Sequence, residues 1–138
     1  MIARISAALK RLRYDGGPPK NVRLMVFGEV YMGKADYYKG KVFKADSKVV
    51  DYLKGAMALK DKAVGDKLQY FFKHLDSPDL AVSSDAYTEF SNSDYKDFKA
   101  MAKTLPAATV AKWLKSADTP TFRIGLYASM LGHCGTAK

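Results

Sequence analysis

One stretch of the sequence, residues 76–90, constrains the fold more than any other. It begins Asp-Ser-Pro, in which Ser77 can cap a helix and Pro78 suits the first helical position. Apolar residues then recur at helical spacing, through Leu80, Ala86, Tyr87 and Phe90. The stretch therefore predicts a helix that follows a tight turn.

A weaker copy of this stretch lies 42 residues downstream, at residues 118–128. Six positions repeat in residue type and order: Asp118, Thr119, Pro120, Phe122, Ile124 and Ala128 take the places of Asp76, Ser77, Pro78, Leu80, Val82 and Ala86. A repeat of this length is typical of helical solenoids, in which each helix pair buries its apolar face against the next pair. The sequence therefore predicts stacked helical hairpins.

The remaining elements predict an α+β fold that is mainly α. β-favouring residues predict a strand over residues 21–31, in which Gly28 marks a bulge or the close approach of another backbone. Residues 37–43 predict a second, shorter strand, and about five or six short helices follow from residue 46, the last ending at Gly132. We expect residues 1–45 to form a basic N-terminal helix plus this β element. Residues 46–138 should form HEAT-like repeats, and the two parts together one compact unit.

The inward faces of the predicted helices define a structural core. Its members are the apolar residues Leu53, Phe71, Phe72, Leu75, Leu80, Ala86, Phe90, Phe98, Trp113, Ile124 and Tyr127. A chain of 138 residues buries enough surface to support such a core without other domains.

The Asp-Pro turn followed by Val82, Ala86 and Phe90 resembles the turn and inner helix of HEAT-type repeats, with Ser83 and Gly125 where that pattern often has Arg. More narrowly, residues 49–55, 85–90 and 123–127 resemble a group of planctomycete proteins of unassigned function that carry HEAT-like repeats. The resemblance covers about residues 24–135 and implies architecture only, with no catalytic residues. It implies a short or truncated member of a group in which a β-rich segment precedes the helices. Members of that group are often exported, whereas this N-terminus predicts no signal peptide and hence a cytoplasmic protein.

The net charge of +9 is concentrated in the first half of the chain. Residues 1–67 hold fifteen Lys and Arg against seven Asp and Glu, whereas residues 68–138 hold eight against seven. A basic half of this kind is either a solvated surface or a site for a polyanion, meaning nucleic acid or an anionic surface. The candidate polyanion contacts are Arg4, Lys10, Arg11, Arg13, Lys34, Lys39, Lys41 and Lys44. Tyr31, Tyr37 and Tyr38 interleave with these lysines as candidate aromatics for stacking on the bases of a single strand.

Residues suited to catalysis are few. Cys134 is the single cysteine, and His133 beside it is expected to lie with it in a turn rather than form a catalytic pair. The two histidines and one cysteine provide no convincing zinc site, and the acidic residues have no EF-hand spacing. We therefore predict no catalytic residue, metal or cofactor. No run of apolar residues is long enough to cross a membrane.

Together these features predict a non-enzymatic scaffold or protein interaction module that binds another protein, or a second copy of itself, through its helical-repeat surface. The alternative is polyanion binding, including nucleic acid, through the basic N-terminal half. Nothing in the sequence identifies a small-molecule substrate.

Overall fold

The computed structural model describes residues 21–134, apart from the side chain of Tyr38. These residues form a two-stranded antiparallel hairpin followed by six α-helices, so the fold is α+β and mainly α, as the sequence predicts. The chain divides between residues 48 and 49 into a hairpin unit, Met1–Lys48, and a helical unit, Val49–Lys138. The predicted N-terminal helix, residues 1–13, lies outside the described residues.

The hairpin pairs β1 (Val22–Tyr31) with β2 (Lys34–Lys44) through a two-residue loop. Met32 and Gly33 in this loop both have positive φ, 48° and 73°. Two positive φ values are the mark of a type I′ turn, whose twist matches that of the two strands. The first predicted strand is confirmed almost to the residue, and the second is longer than expected because the tight turn lets pairing begin at Lys34.

A β-bulge interrupts the pairing at Gly28. Phe27 pairs with Lys39 but Gly28 pairs with Tyr37, so Tyr38 is an extra residue in β2. A Cβ atom at Gly28 would lie 2.6 Å from the carbonyl oxygen of Asp36, closer than side chains approach backbone. Gly28 therefore marks both a bulge and a close backbone approach, the two roles that the sequence suggested for it.

The bulge decides which side chains share a face, because residues directly opposite each other in a pair of strands point to the same side. One side, the valine face, carries Val22, Leu24, Val26, Gly28, Val30, Ala35, Tyr37, Gly40, Val42 and Lys44. The other side, the lysine face, carries Arg23, Met25, Phe27, Glu29, Tyr31, Lys34, Asp36, Lys39, Lys41 and Phe43.

The helices are α1 (Val49–Ala58), α2 (Val64–Phe72), α3 (Leu80–Ser91), α4 (Tyr95–Ala102), α5 (Ala107–Lys115) and α6 (Thr121–Cys134). The turn before α3 is held by two side chains: Ser77 Oγ accepts a hydrogen bond from the Asp79 amide, and Asp79 caps the helix through the Ala81 amide at 3.0 Å. The predicted stop at Gly132 is wrong, since α6 continues to Cys134. A helical Gly costs only about 1 kcal/mol, which the burial of Met130 on the same helix outweighs.

In the helical unit, α2 packs against α3 and α4, α4 and α5 pack against α6, and α1 packs against α3. The even-numbered helices thus follow one another in a row. The HEAT-like solenoid itself stays a prediction.

The core of the helical unit contains most of the predicted residues. Fully buried among them are Phe71, Phe72, Leu75, Ala86, Phe90, Phe98 and Tyr127. Leu53 and Trp113 are half-buried. The prediction that Leu80 and Ile124 belong to the core is wrong, because Leu80 is 66% exposed and Ile124 is 42% exposed.

The helical phase explains both corrections. At about 100° per residue, Leu80 points away from the buried side of α3, which carries Val82 and Ala86. In α6 the buried stripe is Arg123, Tyr127 and Met130, so Ile124 and Ala128 lie beside it. The 42-residue match aligns the two turns, but the buried positions of the two helices do not align. The match pairs Val82 with Ile124, whereas the buried residue at this point of α6 is Arg123, one residue earlier.

Met32→Asn is expected to stabilise the hairpin by about 0.5–1 kcal/mol, because Asn tolerates the left-handed conformation that Met strains to adopt. Met32 is exposed, so little packing is lost. Amide hydrogen exchange in β1 and β2 should slow by roughly two- to fivefold. Gly33→Ala, the control, should speed it, and unchanged exchange in Met32→Asn would contradict the type I′ account.

Candidate binding surfaces

The lysine face is the more exposed side of the hairpin. Phe27 is 41% exposed and Tyr31 71%, and the side chains of Lys34, Lys39 and Lys41 are all exposed. On the valine face, Val22, Leu24, Val26 and Tyr37 are half-buried, although Val30 is 76% exposed and Val42 42%. Eight of the ten lysine-face residues are exposed, against six of the ten on the valine face. The side of the hairpin that carries the lysines is therefore also the side open to a large ligand.

The structure brings only some of the predicted polyanion contacts together. Lys34, Lys39 and Lys41 share the lysine face with Tyr31, whereas Lys44 and Tyr37 lie on the valine face. The bulge shifts the alternation of β2 by one residue, which moves Lys34 onto the lysine face and Tyr37 off it. Lys44 is three residues from Lys41 in a regular stretch, so alternation alone puts it on the opposite side. The side chain of Tyr38 and the residues Arg4, Lys10, Arg11 and Arg13 lie outside the described part of the chain.

Sequence reasoning missed two members of the lysine face. Phe27 lies directly opposite Lys39, and Arg23 lies opposite Phe43 and donates a hydrogen bond from Nη1 to the Ser47 carbonyl at 3.2 Å. Both residues sit in the predicted first strand, on the side opposite its valines. Strand alternation puts both on the side of β1 opposite its valines. Only the pairing with β2 shows that the lysines lie on that same side.

Charge on the lysine face is mixed. Glu29 lies directly opposite Asp36, so two carboxylates separate Lys34 at the turn from Lys39 and Lys41. The ammonium group of Lys41 lies 5.5 Å from the centre of the Phe43 ring, a cation–π arrangement that fixes its position. The hairpin unit as a whole has eleven Lys and Arg against four Asp and Glu, so its net charge is positive despite this pair.

A buried arginine ties the helical unit together. Only 5% of Arg123 is exposed; Nη1 donates to the Leu75 carbonyl at 2.9 Å, and Nη2 donates to Ser83 Oγ at 2.8 Å. Tyr127 also donates to the Leu75 carbonyl, at 3.3 Å. Nε has no hydrogen-bond partner among residues 21–134, and the two acceptors of Nη1 and Nη2 are a carbonyl and a hydroxyl. Arg123 thus links α6, the turn after α2, and α3 through neutral acceptors, a costly arrangement unless all are in place.

The two repeat-like turns, residues 76–78 and 118–120, face each other across a cleft of about 320 Å³. Arg123, Ser83 and Tyr127 belong to its lining, and all three are already hydrogen-bonded to one another or to Leu75. We call the hydrogen bonds of Arg123 and Tyr127 to Leu75, and of Arg123 to Ser83, the clamp, because they hold α6 against α3 and the turn after α2.

A second polar cluster lies between α1, α2 and α3. Tyr52 donates to the Asp85 carboxylate at 2.8 Å, and Tyr70 donates to the Tyr52 carbonyl at 2.7 Å. Burial, followed by the bond to Asp85, raises the pKa of Tyr52, and burial lowers the pKa of His74, whose ring lies 5.0 Å from that of Tyr52. Burial also raises the pKa of Glu89, with Asp85 adding to the shift. The phenols stay protonated and act as hydrogen-bond donors between helices.

His133 and Cys134 lie within α6 and not in the expected turn. His133 Nε2 is 3.2 Å from the Tyr95 hydroxyl, whereas Cys134 Sγ lies 3.9 Å from the Leu131 carbonyl, so each has a different partner. Within residues 21–134, no three His, Cys, Asp or Glu side chains are grouped to hold a metal ion, and none of the helices there is long and apolar enough to cross a membrane. The expected absence of catalysis and cofactors stays a prediction.

Comparison with known proteins gave no match to any family model, any curated protein or any solved structure. The resemblance to HEAT-like planctomycete proteins therefore stays a prediction.

Ser83→Ala is expected to destabilise the helical unit by about 1–3 kcal/mol, because Nη2 of Arg123 would then be buried without an acceptor. Urea unfolding followed by circular dichroism measures this. Ser84→Ala is the matched control, since it makes the same change one residue along α3 and away from Arg123. Equal stabilities of the two variants would contradict the clamp.

Proposed function

We propose that this protein binds polyanions through the lysine face of the β1–β2 hairpin. The observation that carries the proposal is the register, which gathers Lys34, Lys39 and Lys41 on the exposed side of a unit whose charge is strongly positive. The register thus supports the function predicted as the alternative by offering it a surface that holds three of the five lysines first considered for it.

Lys39 and Lys41 supply the central contacts. They are two residues apart on one strand, so their Cα atoms are separated by about 6.6–6.8 Å. Arg23 extends the positive charge toward the far end of the hairpin, opposite Phe43. Binding by these cations would release counterions from the ligand and would therefore weaken steeply with salt.

Lys39→Gln with Lys41→Gln is expected to weaken binding of inorganic polyphosphate and to lower the slope of log affinity against log salt by roughly 1.4, or about 0.7 per lost contact on a single-stranded polyanion. Fluorescence competition titrations at several salt concentrations measure both quantities. The matched control is Lys112→Gln with Lys115→Gln, which removes two exposed lysines from α5. A loss of the same size in the control would place the binding elsewhere.

Glu29→Gln provides a gain-of-function arm that misfolding cannot imitate. Removing one carboxylate from the lysine face should strengthen polyphosphate binding by about 1.5- to 5-fold at low salt. Unchanged or weaker binding would contradict the assignment of the ligand to this face.

A second candidate function is the protein interaction module, which a separate observation favours. Leu80 and Phe122 are more than half exposed at the starts of α3 and α6, and Tyr87 packs edge-on against the Phe122 ring at 5.2 Å. Exposed apolar side chains that lie together favour association with another protein surface, including a second copy.

Leu80→Ser with Phe122→Ser should abolish any self-association that is insensitive to salt, because both substitutions remove apolar surface and no charge. Light scattering over a range of concentrations measures the mass. Met57→Ser, which changes another exposed apolar residue on α1, is the control. A wild-type protein that stays monomeric at every concentration would remove the support for a self-associating module.

A further inference from the structure

From the turn to the Met25–Lys41 pair, the lysine face carries its aromatic rings in a row on β1 and its lysines in a row on β2. Beyond that pair the order is reversed, with Arg23 on β1 and the buried Phe43 on β2. The β1 row consists of Met25, Phe27, Glu29 and Tyr31, and the β2 row consists of Lys34, Asp36, Lys39 and Lys41. Each aromatic ring has a lysine directly opposite it: Phe27 faces Lys39 and Tyr31 faces Lys34. The Cβ atoms of each such ring and lysine therefore lie about 5 Å apart across the strands. This holds at two of the four lysine-face pairs from Met25 to Tyr31.

We infer that the ligand of this face is single-stranded nucleic acid lying lengthwise along the hairpin, with its phosphates over the β2 row and its bases stacked on Phe27 and Tyr31. The inference rests on the proposed function and names its ligand. A single strand has phosphates on one side and unpaired bases on the other, and so matches two rows of different chemistry. A duplex presents phosphates on both strands and hides the faces of its bases, so the β1 row would have nothing to stack on.

The exposure of the rings fits this use. Phe27 and Tyr31 keep large parts of their surfaces open, whereas Phe43, at the end of the face remote from the turn, is buried. Phe27 and Tyr31 are four residues apart on β1, about 13 Å by the rise of a strand, which leaves room for more than one base along the row.

Of the two acidic residues on this face, Glu29 is better placed for a single strand than for a simple polyanion. Glu29 belongs to the β1 row, where a base would lie over it and not a phosphate. Carboxylates accept hydrogen bonds from the amino groups of bases. Asp36 is the one acidic residue in the β2 row, between Lys34 and Lys39.

The test compares three probes on the full chain: labelled oligothymidylate, a thymidine–adenine duplex of the same length, and inorganic polyphosphate. Phe27→Leu with Tyr31→Leu keeps apolar side chains on the strand but removes both rings. This variant should lose oligothymidylate affinity by about 5- to 100-fold per ring and keep polyphosphate affinity unchanged. Tyr95→Leu, which removes an exposed ring from α4, is the control and should change neither.

The possible outcomes are separable. If the ring variant binds oligothymidylate as wild type while Lys39→Gln with Lys41→Gln loses both ligands, polyanion binding stands and the stacking inference is overturned. Loss of both ligands in the ring variant would show that the rings support the hairpin and not the bases, and would also overturn it. Duplex binding as tight as single-strand binding has the same consequence. No binding of any probe by the wild-type protein would overturn the proposed function as well.

Discussion

The pairing register of the β1–β2 hairpin is the constraint on which the rest of the hairpin unit depends. Two local features set it: a type I′ turn at Met32 and Gly33, and a bulge at Gly28 that leaves Tyr38 without a partner residue. Because alternate residues of a strand point to opposite sides, a slip of one residue would exchange the faces. The bulge therefore decides that Lys34, Lys39 and Lys41 lie on one surface.

The helical unit depends on a different interaction, the guanidinium of Arg123. From α6, this guanidinium donates one hydrogen bond to the Leu75 carbonyl, which follows α2, and another to the Ser83 hydroxyl on α3. Both acceptors are 40 or more residues away from Arg123 in sequence. A buried charge held by neutral acceptors is stable only if every partner is in place. The clamp therefore favours a single relative placement of the three elements.

The comparison of sequence and structure shows where local patterns suffice. The strands and most core residues follow from periodicity, which acts over a few residues. The sequence also predicts the turn before α3, but the helix is capped by Asp79 and not by Ser77. The errors come from phase. The 42-residue match made Ile124 equivalent to Val82, yet α6 buries Arg123, whose partners Leu75 and Ser83 are remote in sequence. Likewise, interleaving along the sequence grouped Tyr37 with Lys39 and Lys41, because the sequence carries no sign that Tyr38 would be the extra residue of a bulge.

The central claim is that the lysine face holds unpaired bases on its β1 row. Ultraviolet crosslinking of the full chain to oligothymidylate, followed by mass spectrometry of the adducts, tests it most directly, because bases form photoadducts only with side chains in direct contact with them. The account predicts adducts on Tyr31 or Phe27 that disappear when unlabelled oligothymidylate is added in excess. Adducts confined to the helical unit, for example on Tyr87 or Tyr95, would contradict it.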